Sequence, residues 1–235
     1  MSCQALSNQR VYHRSIAASE EISGDRLDLL GLRQPPDSEP GLSREAIDLL
    51  ARLRAATPRR ALTHRESERV AERQAELLRQ ALDLSGTPRL PTEALLTLPF
   101  LTVTERTGFP TSGMATKTPH GWIIVLRSEE AKVRQRFSLA HELRHLLDDP
   151  FIDRLYPATG GYSSFERAER VCDYFAGCLL MPKRLLRADW VDGRQDIAAL
   201  ARRYDVSRAA MTVRLSQLGL LPNTPRCAIP HHGVI

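Results

Sequence analysis

The chain has 235 residues, 42% of them hydrophobic, so it is long enough for one substantial core and a small additional domain. Lysine and arginine outnumber aspartate and glutamate by 33 to 28, and the resulting net charge of +5 is too small to indicate nucleic-acid binding on its own. The longest apolar run, Trp122 to Leu126, is too short to span a membrane, and the first residues lack a signal-peptide pattern, so we expect a cytoplasmic protein.

The first 86 residues carry weak signals for secondary structure, followed by a strong signal for a helix. Residues 1–60 mix Ser, Arg, Pro and Gly and predict a loosely ordered extension with one short helix from Ser43 to Ala56. Thr63 and Glu66 have the spacing of a capping box, in which each side chain caps the other residue's backbone N–H. Apolar residues then recur at helical spacing until Gly86, which predicts an amphipathic helix.

Strand signals and then helix signals follow along the chain. Three segments rich in β-branched residues, separated by turn-forming residues, predict a small antiparallel sheet: 100–106, 113–118 and 121–127. Helical periodicity then predicts two long helices and a final helical pair, at about 130–147, 165–180 and 196–218. This succession predicts an α+β fold.

The first long helix contains the pattern His-Glu-x-x-His at His141, Glu142 and His145. The two histidines are one helical turn apart and project together, so both imidazoles can bind one metal ion. The leucines fall on the opposite side, which predicts a buried face and a face turned toward a cleft: Leu139, Leu143, Leu146 and Leu147. The alternative is two histidines in ordinary structural roles beside a solvated glutamate.

A catalytic zinc ion needs a third protein ligand and an open position for water. In the second long helix, periodicity places Glu169 and Asp173 together on the flank of the buried stripe and Glu166 farther toward solvent. Glu169 is therefore the best-placed ligand, and Asp173 is placed to accept the other ring N–H of a zinc-bound histidine. The alternative is an ordinary charged helix face from Glu166 to Arg170.

Two motifs together resemble the ImmA/IrrE family of metallo-endopeptidases. They are Arg134-Gln-Arg-Phe-Ser-Leu-Ala-His141-Glu-Leu-Arg-His145 and Glu169-x-x-x-Asp173-x-Phe-Ala-x-x-Leu-Leu-Met-Pro182. The resemblance covers about residues 63–222 and implies a zincin-like domain in which His141, His145 and Glu169 bind Zn2+ and Glu142 is catalytic. Arg144 and Cys172 depart from the family pattern, since many members have Gly or Lys at the first position and Ala is usual at the second. Several members cleave repressor-type regulators, so the resemblance also implies a protein substrate.

The segment 196–218 has the two helices, short turn and Ser207 cap of a helix-turn-helix. Residues 183–221 hold eight lysines and arginines against four aspartates, which favours DNA as a partner. The outward face of the second helix is small and mostly apolar and offers little to base edges, which favours packing against a protein: Ala209, Ala210, Val213, Ser216 and Gln217.

These interpretations combine into one expected organisation. Residues 1–60 form an extension, 61–182 a zincin-like metallopeptidase domain, 183–222 a helix-turn-helix-like module and 223–235 a flexible tail. The expected function is zinc-dependent cleavage of a regulatory protein, such as a helix-turn-helix repressor or an antitoxin of a mobile element or stress response. The alternative is a non-enzymatic regulator that binds DNA or a partner protein and holds zinc only for structure, in which case a fourth Cys or His ligand would close the site.

The proposed chemistry also needs a donor that stabilises the developing oxyanion. The sequence offers four candidates and does not rank them: Tyr156, Tyr162, His120 and Arg144.

Overall fold

The computed structural model describes residues 41–221. Helix α1, Arg44–Arg54, confirms the short helix predicted near the N-terminus, and Ser43 caps it by accepting a hydrogen bond from the Ala46 N–H. Ala46, Leu50 and Leu53 of this helix are buried in the core. Residues 44–54 are thus a packed helix rather than part of a loosely ordered extension, and residues 1–40 lie outside the described range.

Helix α2, His64–Ala81, begins at the predicted capping box. Thr63 Oγ1 accepts from the Glu66 N–H at 3.3 Å, and the Glu66 carboxylate accepts from the Thr63 N–H at 2.9 Å. The reciprocal pair satisfies backbone donors that a helix N-terminus otherwise leaves without partners. A short helix that the sequence did not predict, α3, Thr92–Leu96, leads into the sheet.

The three-stranded sheet consists of β1, Leu101–Arg106; β2, Gly113–Thr118; and β3, Gly121–Arg127, in the order β1-β3-β2. Strands β2 and β3 pair antiparallel, as predicted, but β1 pairs with β3 in parallel. The sheet is therefore mixed, which corrects the expectation of a purely antiparallel sheet. Residues 119–120 form a two-residue turn that pairs β2 with one edge of β3. Strand β1, which is connected to β2 through residues 107–112, pairs with the other edge of β3.

Gly121 makes the start of β3 possible. Its φ of +138° is unfavourable for other residues, and a β-carbon there would overlap the carbonyl oxygen of Phe100. The Trp122 N–H donates to that same oxygen at 2.9 Å. This close approach joins the end of the segment before β1 to the central strand.

The long helices α4, Lys132–Asp148, and α6, Ser164–Leu180, follow the sheet. A 3-10 turn, Asp149–Phe151, and a short helix α5, Ile152–Leu155, connect them. Helix α4 packs against β2, β3 and α6, and α6 also packs against α2. The leucines predicted for the buried face of α4 are all buried: Leu139, Leu143, Leu146 and Leu147.

The C-terminal part comprises α7, Lys183–Val191; α8, Ile197–Tyr204; and α9, Arg208–Gln217. Helices α8 and α9 form the predicted helix-turn-helix-like pair, with Asp205 in the left-handed conformation at the turn and Ser207 capping α9.

Two buried arginines are among the residues that attach this pair to the rest of the molecule. Arg136 of α4 donates to the Asp205 carbonyl at 2.9 Å and to its carboxylate at 2.6 Å. Arg214 of α9, only 1% exposed, donates to the Met181 carbonyl at 3.2 Å. One hydrophobic core includes residues from Ala46 to Leu218, and the α+β fold class is confirmed. No helix among residues 41–221 is long and apolar enough to cross a membrane.

Candidate metal centre

Two packed helices bring the predicted site residues together. Helix α4 carries His141, Glu142 and His145, and α6 carries Glu169 and Asp173 on the side that faces them. A capping box at Ser163 and Glu166 fixes the first turn of α6, one turn before Glu169. Sequence periodicity placed each residue on its own helix, and the packing of the two helices determines the distances between them.

The side chains of His141, His145 and Glu169 converge at one point. The Nε2 atoms of the histidines lie 3.1 Å apart; one oxygen of Glu169 is 3.0 Å from His145 Nε2, and the other is 3.5 Å from His141 Nε2. Donor atoms about 2.0–2.2 Å from a tetrahedral zinc ion are separated from one another by about 3.3 Å. The spacing of the donor atoms of these three side chains therefore fits a single metal ion of the size of zinc.

Asp173 holds the ring of His141 from behind, since its Oδ1 lies 2.8 Å from His141 Nδ1. The carboxylate accepts a hydrogen bond from the Nδ1–H, so in the neutral imidazole the lone pair is on Nε2, which is directed toward Glu169 and His145. Burial alone would lower the pKa of His141, but hydrogen bonds to Asp173 and Glu169 outweigh it and raise that pKa well above its usual range.

Glu169 is buried, with 7% of its surface exposed. Burial favours the neutral carboxylic acid, but the contacts with His141 and His145 are stronger and hold the pKa of Glu169 well below its usual range. The group is therefore a carboxylate at neutral pH. A buried, ionised carboxylate between two imidazoles is an arrangement that a divalent cation would stabilise.

Glu142 is also buried, but its carboxylate has no polar partner among the described residues. Its carboxylate makes no hydrogen bond or ion pair with any residue in the described range. The side chain lies against Gly113 at the start of β2, where a β-carbon would be 3.1 Å from its Cγ and 3.3 Å from its Oε1. The sequence did not predict this role for Gly113, because the contact joins two elements 29 positions apart.

Cys172 offers a different third donor. Its sulfur and one ring nitrogen each of His141 and His145 all lie within 4.8 Å of one another. Burial, followed by the charge of Glu169, raises the pKa of the Cys172 thiol well above its usual range. The sequence analysis noted Cys172 as a departure from the family pattern and did not predict it as a ligand. Glu169 is in direct contact with both Nε2 atoms, so its carboxylate is the better candidate for the third ligand.

Two of the four candidate oxyanion donors are unsuited to that role. The Tyr156 hydroxyl donates to Asp148 at 2.5 Å and accepts from Arg144 at 2.9 Å, and both of these side chains are buried with it. Arg144 is 0% exposed and also pairs with Asp148 at 2.9 Å, so neither it nor Tyr156 can contact a substrate. Tyr162 is 42% exposed, with the Arg170 guanidinium 3.8 Å from its ring centroid. His120 lies in the β2–β3 turn.

A small sheet, a following helix with His-Glu-x-x-His and a second helix that supplies a glutamate are together the features of a zincin-like metallopeptidase domain. Comparison with known families agrees: residues 98–216 match the IrrE N-terminal-like domain, peptidase family M78. The chain belongs to this family.

Two relatives are similar over part of their length. The radiation response metalloprotease IrrE of Deinococcus deserti is 30% identical over 145 residues, which cover 57% of this chain and 49% of that protein. The protein of the same name from Deinococcus radiodurans is 30% identical over 111 residues, covering 44% of this chain and 34% of the relative. The chain thus spans about half of one relative and about a third of the other.

A solved structure described as a Mycobacterium tuberculosis transcriptional regulator is also similar, with 18% identity and a TM-score of 0.48. The similarity covers 76% of this chain and 53% of that one.

Proposed function

We propose that this chain is a zinc-dependent endopeptidase in which His141, His145 and Glu169 bind the metal. The observation that carries the proposal is the convergence of the two histidine Nε2 atoms, 3.1 Å apart, with the Glu169 carboxylate, whose two oxygens lie 3.0 Å from His145 Nε2 and 3.5 Å from His141 Nε2. Two imidazoles and one carboxylate form a catalytic rather than a structural ligand set, because they leave a coordination position for water. Membership of a peptidase family supports the same assignment.

Zinc bound at this site would polarise the scissile carbonyl and lower the pKa of its bound water. Glu142 adjoins His141 in sequence and has an unengaged carboxylate, so it is the group that accepts a proton from the attacking water. The same carboxyl group then delivers the proton to the leaving amine. Asp173 holds the His141 ring in the required tautomer and is a positioning residue rather than a catalytic one.

The proposed substrate is a regulatory protein of the cytoplasm, such as a helix-turn-helix repressor or an antitoxin of a mobile element or stress response. The family resemblance supports this substrate class, and the names of the two radiation response metalloproteases support proteolysis in a stress response. In the test, the purified chain is incubated with the repressor encoded by a neighbouring gene, with and without a chelator, and fragments are identified by mass spectrometry. Cleavage that stops with the chelator and returns with added zinc supports the proposal. A repressor that stays intact in every sample contradicts this substrate assignment.

The second candidate function is a non-enzymatic regulator with a structural zinc ion, and Cys172 is the observation that favours it. A sulfur near both histidines could close the site as a fourth protein ligand. Substitution of zinc by Co2+ distinguishes the two, because a thiolate ligand gives an intense near-ultraviolet charge-transfer band that nitrogen and oxygen ligands do not. The peptidase proposal predicts the same cobalt spectrum for wild type and Cys172→Ala, whereas loss of such a band in the variant establishes the closed site.

The helix-turn-helix-like pair supports partner binding or packing more than DNA reading. Arg214 points inward to the Met181 carbonyl, so it does not add charge to the outer face of α9. Gln217, the outward residue able to pair with adenine, accepts a hydrogen bond from Arg214 at 3.3 Å. Any DNA binding should therefore be driven by phosphate contacts and decrease steeply with salt.

A further inference from the structure

A cavity of about 380 Å³ lies on the side of α1 and α5, apart from the residues of the candidate metal centre. The C-terminal end of α1, the loop that follows it and the segment around Phe151 form its walls. Its volume is within the range of about 300–1,000 Å³ that is typical of small-molecule sites. The cavity is therefore large enough for a ligand of mononucleotide size.

Three arginines line this cavity: Arg54, Arg59 and Arg154. None of the described residues that line it is acidic. Arg59 and Arg154 are exposed, and neither makes a hydrogen bond or ion pair within the range 41–221. Guanidinium groups bind phosphate oxygens in pairs of parallel hydrogen bonds, and two of these groups are available here.

Arg54 differs from the other two because the protein already holds it in place. Its Nε and Nη2 donate to the carbonyls of Leu147 and Leu146 at 3.2 and 2.8 Å, in the last turn of α4. This guanidinium is held in the cavity wall, where nearby Asp149 and Asp148 partly offset its charge, and it links the wall to the helix that carries His141 and His145.

The remaining lining is mostly apolar, with contributions from Ala51, Ala55, Pro58 and Phe151. A cavity that combines an apolar surface with several guanidinium groups suits a ligand that has both a hydrophobic body and an anionic group. Arg54 is partly balanced by Asp149 and Asp148, so the ligand has the two charges of Arg59 and Arg154 to balance. A single carboxylate would balance one of them, whereas a phosphate monoester carries nearly two negative charges at neutral pH.

We propose that this cavity binds a small phosphate monoester with a flat or apolar body, of about the size of a mononucleotide. The phosphate lies between Arg59 and Arg154, and the body lies against the apolar surface formed by the end of α1 and Phe151. The proposal is independent of the peptidase assignment, because none of the lining residues belongs to the metal centre.

The test is calorimetric titration of the full chain with adenosine monophosphate, adenosine and inorganic phosphate at matched ionic strength. We expect one saturable site for adenosine monophosphate and affinities at least about tenfold weaker for each of the other two probes, since each lacks half of the recognised ligand. Equal binding of adenosine, or of inorganic phosphate, would overturn the proposed ligand class. Absence of saturable binding of adenosine monophosphate would overturn the site.

Substitutions of residues that line the cavity test whether adenosine monophosphate binds there. Arg59→Ala and Arg154→Ala should each lower the affinity for adenosine monophosphate by about tenfold, as expected for loss of a charge-assisted hydrogen bond. Arg52→Ala is the matched control, because Arg52 is also exposed on α1 but does not line the cavity. An equal loss in Arg52→Ala means non-specific attraction and contradicts the proposal. Ala55→Glu adds a carboxylate at an exposed lining position and should abolish binding while circular dichroism shows an unchanged fold.

Discussion

Gly113 at the start of β2 leaves the space in which the side chain of Glu142 lies. A β-carbon at position 113 would be 3.1 Å from Glu142 Cγ and 3.3 Å from Oε1, so one of the two groups would have to move by a few tenths of an ångström. The φ of Gly113 is not in the left-handed region, so alanine is tolerated by the backbone there. The effect of this substitution should therefore be confined to the position of the Glu142 carboxylate.

We predict that Gly113→Ala lowers kcat by about tenfold or more through displacement of Glu142, with little change in zinc content or Tm. The measurement is steady-state kinetics beside metal analysis and thermal unfolding. Gly86→Ala is a suitable control, because a β-carbon there meets nothing within 4 Å. An unchanged kcat in Gly113→Ala would show that the contact does not position the carboxylate.

The choice of Glu169 as ligand can be tested against Glu166, three residues earlier in α6. Glu169→Ala should lose zinc, because the variant lacks the carboxylate in contact with both imidazoles. Glu166→Ala should keep zinc but lose about 1 kcal/mol of the free energy of unfolding, since Glu166 closes the capping box with Ser163. Zinc content and denaturant unfolding are measured for both. Equal metal content in the two variants contradicts the assignment.

The zinc affinity should depend on pH in a defined direction. In the metal-free protein the pKa of His141 is raised, so the imidazole is protonated at neutral pH and must release that proton before it binds zinc. The apparent affinity should therefore increase with pH by about tenfold per unit below that pKa and level off above it. Competition titrations with a chromophoric chelator between pH 6 and pH 8 measure this, and a pH-independent affinity contradicts it.

Asp173→Asn provides the matched variant for that titration. The amide removes a carboxylate that raises the pKa of His141, so the pH-dependent range should move to lower pH. The limiting affinity at high pH should decrease by about 10- to 100-fold, as for other residues that orient a metal-binding histidine.

The buried group of Arg144, Asp148 and Tyr156 should support stability rather than catalysis. Tyr156→Phe leaves the hydrogen-bonding groups of Arg144 and Asp148 without the hydroxyl they share, which should cost about 1–3 kcal/mol of the free energy of unfolding. The kcat should be nearly unchanged. Urea unfolding and kinetics of Tyr156→Phe, with the exposed Tyr162→Phe for comparison, measure both quantities, and a large loss of kcat at unchanged stability would reverse the assignment.

Local signals in the sequence predicted most helices and all three strands. The capping box at Thr63 and the turn residues between the strands act between near neighbours, so the start of α2 and the bounds of β2 and β3 agree with the structure. The parallel pairing of β1 depends on contacts between distant segments. One signal for it was present, since β3 is buried at six successive positions and its unbroken apolar run Trp122–Leu126 is typical of a central strand.

The amino-acid composition of residues 1–60 did not indicate that α1 packs against the core. Residues 1–60 are rich in polar and turn-forming residues as a whole, although Ala46, Leu50 and Leu53 recur at helical spacing. At the metal centre, periodicity within α4 and α6 predicted which side chains share a face. It could not predict that Gly113 lies against Glu142 or that Cys172 lies near both histidines, because these contacts arise only when different elements pack together.

The most direct test of the proposed mechanism is the zinc content and proteolytic activity of Glu142→Gln. The amide keeps the shape of the side chain but cannot accept the proton of the attacking water. The mechanism predicts that this variant binds about one zinc ion per chain, as the wild type does, and cleaves no substrate. A fully zinc-loaded Glu142→Gln protein that cleaves the repressor at the wild-type rate would contradict the mechanism.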